Sequence, residues 1–144
     1  MKLFDRDVSP DVYEANHYLE AQPKPPKTRK PLTLWRNEDQ FQAAVFVAAE
    51  WEALRYPEFS QLFHIANENA HRRPGVKGGV PDIFLPVARG RYHGIFIELK
   101  VGSNKPSQKQ LDAISILRYQ GYQVNVIWDS VDEVISTIIA YLGQ

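Results

Sequence analysis

Residues 95–101 read Ile-Phe-Ile-Glu-Leu-Lys-Val, a pattern typical of a buried strand that nevertheless carries an acid and a lysine. Side chains alternate across a strand, so Glu98 and Lys100 share one face with Phe96, and the aliphatic side chains share the other. Buried charges are costly without partners and concentrate at functional sites. The alternative is an ordinary surface salt bridge between Glu98 and Lys100 on a half-exposed sheet.

A second acid, Asp82, lies near the start of the preceding predicted strand, residues 81–87, directly after a glycine-rich loop. The turn at residues 89–91 predicts that this strand pairs with the next one as a hairpin. The far ends of the two strands then meet, which brings Asp82 close to Glu98 and Lys100. This combination is much less common than an acid and a lysine alone.

Two carboxylates and a lysine at one place favour metal-assisted phosphate chemistry. Carboxylate oxygens suit a hard divalent cation such as Mg²⁺ or Mn²⁺, which also binds substrate phosphates. Such a cation lowers the pKa of water and stabilises charge on phosphoryl oxygens. A partly buried lysine beside it can orient or deprotonate the attacking water. Asp82, Glu98 and Lys100 are therefore the predicted catalytic core.

The elements that must position these residues follow one another in the order α-β-β-β-α-β-α, which predicts an α/β fold. The first helix begins at the cap residue Asn37, with apolar residues at helical spacing: Phe41, Val45, Ala48 and Trp51. Ser107 is expected to cap the second helix, which Gly121 ends. The predicted spans after the first helix are strands 62–66, 81–87 and 94–101, helix 107–120, strand 122–128 and helix 130–142.

Residues 1–31 differ from the remainder of the chain, because five prolines and a basic run interrupt any long helix. We interpret them as a surface extension with one short helix at residues 11–20, followed by a single domain over residues 32–144. The alternative is a basic arm that touches a phosphate backbone or a neighbouring subunit.

Bulk composition narrows the class of protein. The 144 residues suit one domain, no apolar run is long enough to span a membrane, and the N-terminus turns acidic before any secretory h-region. The chain has no cysteine, and its four histidines show no ligand spacing, so we expect neither disulfides nor a zinc site. We predict a cytoplasmic protein. The 17 basic and 17 acidic residues count mildly against a pure DNA-binding protein.

Three short motifs resemble the PD-(D/E)xK nuclease superfamily, and within it the virus-type replication–repair nuclease (VRR-NUC) domains found alone in phages or fused to repair enzymes. The motifs are Gly79-Val80-Pro81-Asp82, Ile97-Glu98-Leu99-Lys100 and Ser107-x-x-Gln110. The resemblance covers residues 37–142. It implies a restriction-endonuclease-like core, in which a central mixed sheet flanked by helices carries the site at one edge.

The resemblance also implies roles for individual residues. Asp82 and Glu98 would bind Mg²⁺ or Mn²⁺ together with the main-chain carbonyl of Leu99, and Lys100 would position or activate the attacking water. Gln110 would support the site or contact the nucleic-acid backbone.

An acid on the first helix is a further feature of the family, and Glu38 in Glu38-x-x-x-Gln42 is the matching position. The resemblance favours a role at the metal, either directly or through a water. The alternative is that Glu38 only stabilises the positive end of its helix, where an acid is favourable without any catalytic role.

Basic residues near the predicted site are expected to contact DNA. Arg72, Arg73 and Lys77 lie in the glycine-rich loop just before Asp82, and we assign Lys105 to the same role. A solvated charge run is the alternative for the loop.

The predicted function is therefore a metal-dependent nuclease that hydrolyses DNA phosphodiester bonds. The resemblance implies a structure-specific endonuclease of branched DNA, such as a Holliday junction or a flap, acting as a homodimer in a bacterial or phage-infected cell and serving DNA repair. Two alternatives remain open: a restriction-type or end-processing nuclease, and a catalytically inert DNA-binding or assembly module.

Overall fold

The computed structural model describes residues 34–66 and 73–144, and within these ranges it confirms the predicted order of helices and strands. A 3-10 helix, which the sequence did not predict, separates the first helix from the first strand. The elements are α1 (Glu38–Glu52), the 3-10 helix (Pro57–Gln61), β1 (Phe63–His64), β2 (Ile83–Leu85), β3 (Ile95–Lys100), α2 (Gln108–Tyr119), β4 (Gln123–Trp128) and α3 (Val131–Leu142). The proposed extension, residues 1–31, and its short helix lie outside the described residues.

The four strands form one mixed sheet in the order β1-β2-β3-β4. β2 is antiparallel to both β1 and β3, whereas β3 and β4 run parallel. A parallel pair cannot be joined by a tight turn, so α2 serves as the crossover between β3 and β4. The predicted mixed sheet flanked by helices is thus confirmed, and β3 lies inside it with a neighbour on each side.

Two apolar clusters lie on opposite faces of β3. Ile95, Ile97 and Leu99 belong to the main core, which α1 and α3 complete, whereas Phe96 belongs to a smaller cluster that includes Ile114 of α2. The alternation predicted for this strand is therefore present, although every one of its residues is buried. A strand buried on both faces has to place Glu98 and Lys100 in the interior.

The core-facing stripe of α1 includes only part of its run of apolar residues at helical spacing. Phe41, Val45 and Ala49 are buried, whereas Trp51 is 71% exposed. At about 100° per residue, Trp51 lies roughly 120° around the helix from Val45, beyond the buried arc. The spacing in the sequence therefore indicates the helix but not that Trp51 faces the core.

β1 and β2 are shorter than their predicted spans of 62–66 and 81–87. Pro81 and Pro86 bracket β2, and a proline has no N–H to donate to a neighbouring strand. β1 pairs only with β2, so it ends within the same short ladder, which one further hydrogen bond from the Ile65 N–H to the Asp82 carbonyl extends.

In the parts of the chain that the structure describes, no helix has both the length and the apolar character needed to cross a bilayer.

The hydroxyl of Tyr141 provides a test of how α3 is fixed to the hairpin. Tyr141 is fully buried and donates a hydrogen bond of 2.5 Å to the carbonyl of Val87. Tyr141→Phe removes that donor, so we expect the free energy of unfolding to fall by about 1 kcal/mol. Chemical denaturation measures it, with Tyr119→Phe, at a 67% exposed tyrosine, as the control. Equal stabilities of the two variants would contradict the prediction.

Candidate active site

β3 places an acid and a lysine side by side in the interior. Glu98 is 0% exposed and Lys100 is 4% exposed. The ammonium nitrogen of Lys100 lies 2.6 Å from Oε1 of Glu98. This is a buried ion pair and not the surface salt bridge that the sequence left open as an alternative.

The hairpin brings Asp82 to the same place, as the turn at residues 89–91 predicted. Ile83 of β2 faces Ile97 of β3, so Asp82 falls level with the end of β3. Its Oδ2 accepts a hydrogen bond of 2.8 Å from the Leu99 N–H. Because the N–H and C=O of one strand residue point to the same side, the Leu99 carbonyl is directed towards the Asp82 side of β3.

The N-terminal end of α1 adds a third acid beside the lysine. Asn37 caps this helix by accepting a hydrogen bond of 2.9 Å from the Gln40 N–H, as predicted, which fixes Glu38 in the first turn. Oε1 of Glu38 lies 3.3 Å from the Lys100 ammonium and 3.4 Å from Nδ2 of Asn104. Lys100 is therefore held between a fully buried acid and a partly exposed one.

The N-terminal end of α2 contacts the same oxygen of Glu98 as Lys100 does. Ser107 and Gln110 form a reciprocal capping box, in which Oε1 of Gln110 accepts a hydrogen bond of 2.8 Å from the Ser107 N–H. The amide Nε2 of the same Gln110 side chain donates to Oε1 of Glu98. One glutamine thus caps its own helix and fixes the orientation of the buried carboxylate, so its observed contact is with the acid.

Burial dominates the electrostatics of this cluster. It raises the pKa of Glu98 to about 7, aided by the nearby Asp82 carboxylate and opposed by the hydrogen bond and the charge of Lys100. Burial likewise raises the pKa of Asp82, against the hydrogen bond from Leu99 and the charge of Lys100. For Lys100, burial alone would lower the pKa, but the hydrogen bond and charge of Glu98, with Glu38 and Asp82, raise it above its ordinary value.

The donor atoms at this site fit a hard divalent cation. Oε2 of Glu98 is buried and has no hydrogen-bond partner among the described residues, an arrangement that a bound cation would satisfy. Asp82 and the Leu99 carbonyl supply further oxygens on the same side. Within the described ranges, no three His, Asp or Glu side chains group into a metal cage. Mg²⁺ does not require one, since it is commonly held by one or two carboxylates, waters and substrate phosphates.

Glu38 takes a different position from that of a third carboxylate ligand. Its observed partners are Lys100 and Asn104, so in this structure it serves as a second carboxylate partner of the lysine. The two readings of Glu38 as a helix-end acid and as a site residue are compatible, because the first turn of α1 points at the site. A role at the metal stays a prediction.

An open cleft lies beside the cluster and is lined by residues of α1, β1, β3 and α2 and of the segments that lead into β2 and α2. Its volume is about 340 Å³, equivalent to roughly ten liquid waters, which is room for a hydrated cation and a phosphate group. The lining residues are Glu38, Asp39, Gln42, His64, Gly79, Asp82, Leu99, Ser107, Lys109 and Gln110.

The glycine-rich loop is held against α2 at the edge of this cleft. Gly79 has a φ of +89°, and a Cβ there would lie 2.9 Å from the Lys109 carbonyl oxygen, so only glycine fits. Of the residues predicted to contact DNA, Arg73, Lys77 and Lys105 are exposed. Arg72 lies outside the described residues.

Several residues at the cleft were not predicted from the sequence. His64 of β1 contacts the Asp82 carbonyl through Nδ1 at 3.1 Å, and Lys109 lines the cleft from α2. The spacing of the four histidines excluded a zinc site and gave no other role to His64. What reveals His64 is the pairing of β1 with β2, which places it beside Ile83. Asn104 was missed because a loop asparagine carries no pattern of its own.

Comparison with known proteins places this geometry in a family. The family model described as VRR-NUC domain matches residues 27–128. A solved structure described as "VRR_NUC domain protein" is 33% identical, with a TM-score of 0.62, over 74% of this chain and 88% of that one. No curated protein matches the chain. The matched residues include Asp82, Glu98, Lys100 and Gln110.

The buried Glu98 is expected to make the metal-free protein less stable as pH rises. Between the ordinary pKa of 4.5 and about 7, the folded state holds a proton on Glu98 that the unfolded state has lost. The free energy of unfolding therefore falls across this window, by at most roughly 3 kcal/mol from this group. Denaturation in a chelator at several pH values measures the fall. It should be smaller in Glu98→Gln, and an equal slope in both proteins would contradict the prediction.

Proposed function

The chain belongs to the VRR-NUC family of nuclease domains, and on that premise we propose that it is a Mg²⁺- or Mn²⁺-dependent endonuclease of branched DNA. The observation that carries the proposal is the cluster of Asp82, Glu98 and Lys100 beside one open cleft, which Asp82 and Leu99 line. Two separate stretches of chain, the start of β2 and the end of β3, supply two carboxylates, a main-chain carbonyl and a lysine there. Buried charges are costly and concentrate at functional sites, and two carboxylates with a lysine suit metal-assisted phosphodiester hydrolysis.

Asp82, Glu98 and the Leu99 carbonyl would hold the cation. When bound, the cation would lower the pKa of a coordinated water and stabilise the charge that develops on the phosphate. Gln110 fixes the Glu98 carboxylate by donating to Oε1, which leaves Oε2 for the cation. The residues of the chain therefore keep the carboxylate ready before any ligand arrives.

Lys100 is assigned to orient the attacking water and the scissile phosphate. Its ammonium group faces two carboxylates, Glu98 at 2.6 Å and Glu38 at 3.3 Å, which favours the protonated form. A protonated lysine donates hydrogen bonds and cannot accept a proton from water. Of the two roles that the sequence left open, orientation therefore fits this geometry better than deprotonation.

Exposed basic residues around the cleft would contact the DNA backbone. Arg73, Lys77 and Lys105 are exposed, Lys109 lines the cleft, and Arg72 is included by its place in the sequence. Such contacts position the duplex without reading its sequence. Local basic side chains suffice for this, even though the whole chain carries no net charge.

The choice of branched DNA, of the Holliday-junction or flap type, rests on the family resemblance. An enzyme that cuts a junction symmetrically needs two active sites, so we propose a homodimer related by a two-fold axis. A role in DNA repair in the cytoplasm of a bacterial or phage-infected cell follows from the same resemblance.

Lys100→Ala is expected to reduce metal-dependent DNA cleavage by at least about 100-fold, because the attacking water and the phosphate lose their donor. Duplex, flap and four-way substrates are incubated with Mg²⁺ or Mn²⁺, and initial cleavage rates are compared. Arg91→Ala is the matched control, because Arg91 lies in the turn at the opposite end of β3.

Three outcomes of this assay discriminate between the candidate functions. Preferential cutting of branched substrates supports the proposal, whereas cutting confined to duplex ends favours an end-processing enzyme. Binding without cutting in either metal would favour an inert module. Cleavage that persists unchanged in Lys100→Ala would refute the assigned role of the lysine.

Metal binding is expected to stabilise the wild-type protein but not Asp82→Asn, which loses a ligand charge. A cation that binds only the folded state raises the free energy of unfolding, by about 2.7 kcal/mol at 100 times its dissociation constant. Thermal unfolding with and without Mg²⁺ or Mn²⁺ measures the shift. Asp132→Asn, at an exposed acid of α3, is the control. An equal shift in Asp82→Asn would exclude Asp82 as a ligand.

A further inference from the structure

We infer that Asp129, the residue directly after β4, is a positioning residue that holds Lys100 in place for catalysis. The inference rests on the role of Lys100 in the proposed function. Asp129 lies outside the three motifs of the resemblance, and it does not line the cleft beside the cluster. Its effect passes through the loop that follows Lys100, residues 101–104.

Main-chain hydrogen bonds attach Asp129 to the end of β3. The Asp129 N–H donates to the Lys100 carbonyl at 3.0 Å, which continues the parallel ladder by one step. Both carboxylate oxygens of Asp129 accept from the Gly102 N–H, at 3.1 Å and 2.9 Å. Asp129 therefore holds the chain at two points, on the lysine itself and two residues beyond it.

The same loop returns to the lysine from its other end. Nδ2 of Asn104 donates to Oε1 of Glu38 at 3.4 Å, and this oxygen lies 3.3 Å from the Lys100 ammonium. The Asn104 carbonyl in turn accepts a hydrogen bond of 2.8 Å from the indole N–H of Trp128. These contacts form a ring that begins at the main chain of Lys100 and ends at the ammonium group of the same residue. The ring passes through Asp129, Gly102, Asn104 and Glu38, and we name it the lysine clasp.

The backbone of Asp129 is held in a disfavoured conformation. Its φ is 54°, the one positive value at a non-glycine residue in the described ranges, and Gly102 opposite it has a φ of 61°. Residues other than glycine adopt this left-handed region rarely, and they do so where surrounding contacts fix the backbone. The indole N–H of Trp35 supplies such a contact at 3.1 Å to the Asp129 carbonyl. Two left-handed residues facing each other give the loop a sharp reversal directly after the lysine.

The clasp accounts for how a long, flexible side chain becomes a precise donor. Lysine has several rotatable bonds, and the ion pair with Glu98 is only one restraint on its tip. Glu38 is a second restraint, and it acts from a partly exposed position that depends on Asn104. Since Asp129 shapes the loop that carries Asn104, loss of its carboxylate releases the second restraint.

Two substitutions separate the carboxylate from the backbone conformation. Asp129→Asn tolerates the left-handed region and keeps one side-chain oxygen to accept from Gly102. Asp129→Gly adopts that region freely but has no acceptor. Asp132→Asn, which removes a nearby exposed acid, controls for loss of charge alone.

We expect Asp129→Gly to lower kcat for DNA cleavage by about 10- to 100-fold with little change in KM, the usual effect of losing a partner that orients a reacting group. Asp129→Asn should stay within about threefold of the wild type, since a neutral hydrogen bond replaces a charged one. The ¹⁵N resonance of the Lys100 ammonium group, identified by its absence in Lys100→Ala, should persist in Asp129→Asn and broaden in Asp129→Gly.

Wild-type kcat in Asp129→Gly would overturn the proposal. So would a loss of activity that matches the loss of folded protein in thermal unfolding while the ammonium resonance is unchanged. If the wild type cuts no DNA, the proposed function fails, but the ammonium resonance still decides whether the clasp restrains Lys100.

Discussion

The burial of the Glu98 carboxylate is the constraint on which this site depends. A charged carboxylate with no exposed surface is tolerated only when its oxygens have partners, and here one oxygen receives both the Lys100 ammonium and the Gln110 amide. The second oxygen has no partner among the described residues. A buried polar atom without a partner is unusual, and this oxygen therefore supports the proposal that Glu98 binds a cation.

The other residues of the cluster come from the ends of secondary-structure elements. The hairpin delivers Asp82, the start of α1 delivers Glu38, and the capping box of α2 delivers Gln110. Helix starts and strand ends are where backbone groups lack regular partners, so side chains there already point outward to make hydrogen bonds. In Gln110 one side chain serves the helix and the acid together. Stability of the fold and geometry of the site are consequently set by the same contacts.

Local patterns predicted the parts of this arrangement that depend on nearest neighbours in the chain. Strand alternation places Glu98 and Lys100 on one face, and a short turn predicts that Asp82 joins them; both need only a few consecutive residues. Residues that reach the site across the sheet carry no such pattern. His64 comes by strand pairing, and Asn104 by a reversal that depends on Asp129. These contacts depend on long-range packing, so a short stretch of sequence does not predict them.

The distribution of charge explains how a chain with no net charge is compatible with a DNA phosphate backbone. Two of the acids that line the cleft are engaged, Asp82 by the Leu99 N–H and Glu38 by Lys100, and the buried Glu98 is paired with the same lysine. Engaged acids are partly neutralised, whereas the lysines at positions 77 and 105 are exposed on the loops beside them. A bound divalent cation would add two further positive charges beside the cleft. The field that a phosphate meets is therefore set by this local balance, and the count of 17 acids against 17 bases does not describe it.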